Sequence, residues 1–150
     1  MIGTRNYKLV NDLISKDNSK TKIKYEKKDY VNTKEPHVFG PPIWFTIHIS
    51  AAHYPLDPSI ICKEHAIMFI RSIPYILPCH QCFLHAQEYI SRFSKDDLLK
   101  IVSTRKSYFE WGVYFHNFVN KRLNKKILSV KDAYNIYMNG EGLNVMKYGS

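Results

Sequence analysis

Prolines divide the middle of this 150-residue chain into helix-length pieces. Gly40-Pro41-Pro42 puts two prolines where a helix can begin, since first-turn N–H groups have no intrahelical partner to lose. Ile43, Trp44, Ile47, His48 and Ala51 follow at helical spacing, and Tyr54-Pro55 closes the segment. A second helix is predicted from Pro58 to Ile73, with Cys62, Ala66, Phe69 and Ile73 in phase; Pro74 and Pro78 then bracket Tyr75-Ile76-Leu77. A third starts at or beside Cys79 and runs to about Phe93. A polar junction from Ser94 to Asp97 precedes a short apolar piece around Leu98 to Val102. The fourth helix, from about Ser107 to Leu123, carries Tyr108, Phe109, Trp111, Tyr114, Phe115 and Phe118. Ser129-Val130-Lys131-Asp132 is a variant capping box that opens a last short helix, with Ala133, Ile136 and Tyr137, ending near Asn139-Gly140. No alternating run with hairpin glycines stands out. The expected fold is all-α, a four-helix bundle plus a short fifth helix, without internal repeats.

Residues 1–36 differ in texture, being rich in Lys, Asn, Asp and Ser. They read as a polar, mobile N-terminal extension with room for a short helix from Tyr7 to Ile14, ahead of a folded domain over residues 37–150. The net charge of +9 raises nucleic acid as a partner, yet the charge is dispersed between the extension, Arg105-Lys106 and the Lys121 to Lys126 region. No zinc-finger, RNP or helix-turn-helix pattern accompanies it, so nucleic acid is disfavoured. Three cysteines do not make a disulfide framework. The first residues lack a signal-peptide apolar run, and no stretch approaches the ~20 apolar residues of a membrane span. A soluble protein is expected.

The sharpest local feature is Pro78-Cys79-His80-Gln81-Cys82. A helix N-terminus stabilises a thiolate and lowers the pKa of the first cysteine. The spacing lets the sulfurs meet, although helical Cβ separations of ~5–6 Å exceed the ~3.8 Å of a disulfide, so the first turn must distort. Zinc is the rival reading, with Cys79, Cys82, His85 and nearby His80. A structural site needs four converging ligands, and no second pair of cysteines exists, so no metal is expected. Trp44 and His48 are i,i+4 neighbours on one face; by themselves they read as a core Trp with a satisfied His. The third feature runs from His116 through Asn117, Asn120 and Asn124 to Lys126. Asn is a poor helix-interior residue, so the cluster suggests a polar face with a task, and Lys121, Arg122, Lys125 and Lys126 suit a pyrophosphate. A solvated amphipathic face is the plain alternative.

In this order, a G-x-x-x-W-x-x-x-H helix, a CxxC and an H-N-x-V-N-x-x-L-x-K helix resemble the Erv/ALR family of FAD-dependent sulfhydryl oxidases. The match covers about residues 39–137, and Trp111 and Tyr137 extend it. The family's second shuttle pair and its extra structural pair are absent, which is similar to the minimal forms encoded by large DNA viruses. The resemblance implies noncovalent FAD with its isoalloxazine near Cys82. Gly40, Trp44, His48 and His53 would line one side. Trp111, His116, Asn117, Val119, Asn120, Leu123, Lys125 and Tyr137 would line the other. It further implies that Cys79 and Cys82 are catalytic. A substrate thiolate attacks Cys79, a second resolves the mixed disulfide, and electrons leave through Cys82 to the flavin and then to O₂, giving H₂O₂. Protein thiols or a small redox carrier protein would be the substrates, and a viral protein of this kind would work in the host cytoplasm or the virion. The implied homodimer would use the first two helices, with Ile43, Ile47, Ile61 and Met68 as apolar surface. Cys62, the odd thiol, faces the core by its phase and reads as inert rather than as an intersubunit link or a shuttle.

Overall fold

The computed structural model describes residues 32–142, so the short helix expected at Tyr7 to Ile14 lies outside the described residues. Six α-helices and one 3₁₀ turn follow: α1 Pro36–Ala52, α2 Ile60–Ser72, the 3₁₀ turn Ile73–Ile76, α3 His80–Ile90, α4 Lys95–Ile101, α5 Arg105–Arg122 and α6 Val130–Tyr137. No strand occurs among the described residues. The all-α expectation stands, with more helices than four and a short fifth.

Two of the differences have local causes. The stretch read as a polar junction plus an apolar piece is a complete helix, α4. Ser94 accepts from the Asp97 N–H while Asp97 accepts from the Ser94 N–H, a reciprocal cap that starts a helix only seven residues long. α1 starts at Pro36, a turn before the Gly40-Pro41-Pro42 start expected for it. Pro36 occupies the first helical position, where a missing N–H costs nothing. Pro41 and Pro42 therefore sit inside the helix and leave the carbonyls of His37 and Val38 without their intrahelical donors. Both prolines are exposed, so that ragged first turn borders water.

α1 and α5 form the principal helix pair, and α6 packs across both. α3 leans on the 3₁₀ turn and on α5, and α4 bridges α2 and α5. Ile47 and Ala51 of α1, Ile70 of α2, Ile73, Leu98, Val102, and Val113 and Phe115 of α5 are almost completely buried. Burying each large apolar side chain stabilises the fold by about 1.5–3 kcal/mol. Ile73, expected to end α2, opens the 3₁₀ turn instead, because Pro74 supplies no N–H to continue the α-helical ladder.

Candidate functional site

The cysteine pair is closed: Cys79 and Cys82 form a disulfide with their Cα atoms 5.2 Å apart. Cys79 is not in the helix but is the N-cap of α3, with extended backbone (φ −102°, ψ 119°). That conformation swings its side chain over the first turn, where Sγ accepts the Cys82 N–H at 3.3 Å. The distortion anticipated from helical spacing is thus placed at the cap residue, and α3 itself is regular. Both cysteines are half-buried. An N–H aimed at Cys79 Sγ, with the helix dipole behind it, favours a thiolate there when the bond opens.

On α3, Cys82, Ala86 and Tyr89 share one face by their i, i+4, i+7 spacing. Ala86 is buried, and the Tyr89 ring stacks on Phe115 of α5 with centroids 5.0 Å apart. Phe115 in turn meets Trp44 of α1 edge-on at 5.1 Å. Cys82 therefore shares a face with an aromatic path into the α1–α5 interface. Cys79 and Phe83 lie toward the 3₁₀ turn, where Phe83 meets Tyr75 at 5.4 Å.

At the end of that path four rings from three helices converge. Trp44 and His116 stack at 4.1 Å, nearly parallel, and His48 stacks on Tyr137 at 4.2 Å. His48 Nε2 and His116 Nδ1 share a hydrogen bond of 2.9 Å, one ring donating and the other accepting. Both imidazoles are held neutral. Burial, reinforced by His116, lowers His48 to about 3, and burial, followed by the Lys125 charge, lowers His116 to about 4. Burial also raises the Tyr137 phenol above its ordinary value. Two buried polar atoms have no partner among the described residues, His48 Nδ1 and Trp111 Nε1. Such orphans cost about 1–3 kcal/mol each, and they are the kind of atom a ligand or a bridging group satisfies.

The Asn-rich segment builds the end of α5 and the loop behind the rings. Asn124 has φ 52°, a left-handed conformation that Asn tolerates better than most residues. Lys125 N–H then bonds the Asn120 carbonyl at 2.8 Å and Asn124 N–H bonds that of Lys121 at 3.3 Å, which closes the helix in a Schellman motif. Asn117 holds the far end of the loop. Its Nδ2 donates to the Leu128 carbonyl at 2.7 Å, and its Oδ1 accepts the Leu128 N–H at 2.9 Å. These two clasps keep Lys125 near enough to His116 to depress its pKa.

The other residues singled out from sequence are placed variously. Trp111 is buried within the core between Tyr108 and Phe115, at 6.1 and 5.6 Å. Asn120 is buried, and Val119 packs half-buried against the core. Leu123 and Lys125 are exposed. His53, the C-cap of α1, is exposed and stands outside the ring cluster. A Cβ built on Gly40 would meet nothing within 4 Å, so the chain's own packing does not demand glycine there. Cys62 is a free, half-buried thiol at the start of α2. Among the described residues no three His, Cys, Asp or Glu side chains converge as a metal site.

One feature escaped the sequence reading. A hollow of about 630 Å³ opens between the end of α1 and the starts of α5 and α6, floored by Ala52, Phe109 and Tyr134. Arg105, Lys106 and Lys131 rim it against one acid, Glu110. Phe109 joins it to the ring cluster, 6.2 Å from His48 and 6.0 Å from Tyr134. Arg105 and Lys131 are far apart in the chain, so no local pattern announces the rim.

Comparison with known proteins bears on the family and the fold. The model of the Erv1 / Alr family matches residues 41–138. Protein 347L of Invertebrate iridescent virus 6 is 41% identical over 63% of this chain and 86% of its own length. The FAD-linked sulfhydryl oxidase of African swine fever virus (isolate Tick/Malawi/Lil 20-1/1983) is 37% identical, over 74% of this chain and 88% of its own. The crystal structure of the yeast Erv1 core superposes with a TM-score of 0.65 at 24% identity, covering 82% of this chain and 98% of that one; it speaks to the fold alone. With matched residues extending from the prolines of α1 through the cysteine pair to the end of α6, the chain belongs to the Erv1 / Alr family.

Proposed function

We propose that this chain is an FAD-dependent sulfhydryl oxidase that makes disulfides in thiol-bearing proteins, within residues 37–150. The observation that carries the reading is a disulfide at the cap of α3 whose second cysteine shares a face with rings leading to the α1–α5–α6 cluster. The residues present suit a flat, anionic cofactor. Trp44, His48, His116 and Tyr137 offer rings, the orphaned His48 Nδ1 and Trp111 Nε1 offer polar atoms, and Lys125 offers charge. Gly40, His53, Val119, Asn120 and Leu123 complete the proposed lining, with Asn117 acting by bracing the loop that carries Lys125. The relatives named FAD-linked sulfhydryl oxidases point to the same cofactor.

A substrate thiolate attacks Cys79 Sγ, the Cys79–Cys82 bond breaks, and Cys82 leaves as a thiolate. A second substrate thiol then displaces Cys79, so the substrate becomes a disulfide and the pair is left as two thiols. Bound flavin would supply the two-electron acceptor that returns the pair to a disulfide and hands the electrons to O₂ as H₂O₂. Two neutral histidines near the rings add no positive charge that varies at neutral pH. No described helix is long and apolar enough to cross a membrane, and a homodimer acting in host cytoplasm or virion completes the proposal. Purification tests it: the protein is expected to be yellow and to release flavin on denaturation. Release of zinc without flavin overturns it.

A further inference from the structure

We infer that the face of the molecule beside Cys79 selects the substrate, taking an extended segment with a bulky apolar side chain and a carboxylate on one side of its reactive cysteine. The inference rests on the oxidase reading and adds a substrate class to it. A groove of about 320 Å³ lies between the 3₁₀ turn and α3, with Pro74, Tyr75, Ile90 and Phe93 as its apolar walls and Arg71 and Gln87 as polar lining. Its size is at the lower limit for ligand sites, too small for a dinucleotide and suited to a side chain. No acid lines it, and among the described residues no carboxylate pairs with Arg71. Glu88, the acid of α3, is engaged by Arg92 at 2.7 Å and Arg122 at 3.2 Å.

A ring contact links one wall of the groove to the helical turn that carries the cysteine pair. Tyr75, a groove wall, meets Phe83, and Phe83 follows Cys82 directly in α3. Tyr75 and Ile76 of the 3₁₀ turn and Leu84 of α3 are exposed apolar side chains (71%, 52% and 41% accessible) on the two elements that flank the pair in the chain. Exposed apolar side chains beside a reactive centre suit a recognition surface. Gln87 stands eight residues beyond Cys79, the sulfur that meets the substrate, and Ile90 eleven, which is roughly 12–17 Å at the helical rise. An extended peptide covers that in about four to five residues. The occupant is therefore a polypeptide segment in which a large apolar residue lies four or five positions from the cysteine, followed by an acid for Arg71.

The test isolates thiol exchange from the flavin. In full-length Cys62→Ser/Cys82→Ser protein, the Cys79 thiolate attacks the sulfur of a peptide cysteine carried as its mixed disulfide with nitrothiobenzoate. The peptide–nitrothiobenzoate bond breaks, the coloured thiolate leaves, and a Cys79–peptide disulfide forms. Cys-Gly-Gly-Ser-Leu-Asp should react about tenfold faster than Cys-Gly-Gly-Ser-Gly-Asp, and faster than Cys-Gly-Gly-Ser-Leu-Lys. Arg71→Glu should reverse the preference between the Asp and Lys peptides. Equal rates for all three peptides overturn the inference. So does Arg71→Glu if it converts a dimer to a monomer and leaves the preferences intact, since the groove is then an interface between copies. The oxidase reading fails separately, if native protein consumes no O₂ with dithiothreitol.

Discussion

The two halves of the proposed site are built in opposite ways. The cysteine pair sits half-exposed at a helix cap, held by one N–H···S hydrogen bond and flanked by exposed apolar side chains. The ring cluster is assembled from three helices around His48, which has essentially no exposure, and is tied together by stacking and an imidazole–imidazole hydrogen bond. A group that must meet a macromolecular thiol has to be reachable, whereas groups that fix a cofactor's orientation have to be rigid. On the proposed function, chemistry and positioning have separate structural supports, so each should fail in its own way.

The largest effect is expected at the exposed end and should leave the fold alone. Cys79→Ser and Cys82→Ser should each lower dithiol oxidation by more than about a thousandfold, while thermal stability and retained flavin stay near native. The two separate spectroscopically, because only Cys79→Ser keeps a Cys82 thiolate able to perturb flavin absorbance. Full oxygen consumption by either variant would break the assignment. The mirror-image variant lies in the buried half. Phe115→Ala removes the ring joining Tyr89 to Trp44 and should cost about 3–5 kcal/mol in denaturant titration. Flavin should be lost in the same step, with the thiol-exchange rate of Cys79 in the remaining folded protein little altered.

Acid should attack the ring cluster before the cysteine cap. Both histidines have folded pKa values below the unfolded value of 6.5, His48 at about 3 and His116 at about 4. The unfolded state therefore binds protons first as pH falls, and stability present above pH 6.5 is lost progressively toward pH 4 and below. Between pH 7 and 5 the loss should be on the order of 2–4 kcal/mol if both contribute. Denaturant midpoints in wild type and His48→Gln measure it, and an equal acid loss in the two would assign the effect elsewhere. Asn117→Ala leaves the Leu128 N–H and carbonyl without their clasp and should cost about 1–3 kcal/mol. It should weaken flavin retention more than Asn117→Asp does, because aspartate still accepts from the Leu128 N–H. The smallest effect is expected at Cys62. Cys62→Ser should leave the ratio of protein-thiol to dithiothreitol oxidation near that of wild type, and a selective loss on protein thiols would make it a shuttle.

The helical pieces, their approximate limits and the motif order were legible because each depends on neighbours in the chain. Helical spacing of apolar residues, bracketing prolines, the Ser129 capping box and a CxxC are local patterns, and they located α2, α3, α5 and α6 within a few residues. The start of α1 was misplaced for a local reason too, since Pro36 and Pro41-Pro42 both satisfy the rule for a first turn and only packing chooses between them. Other features were not local at all. Asn117 meets Leu128 eleven positions away, His48 meets His116 across 68 positions, and the rim of the hollow joins Arg105 to Lys131. Helical phase put Trp44 and His48 on a common face, but it could not say that His116 and Tyr137 would stack against them. Residue identity and spacing determined which chemistry this protein carries. Tertiary packing decided which ring faces which, which histidines are neutral and which polar atoms lack partners, because burial and long-range contact arise only when the helices meet.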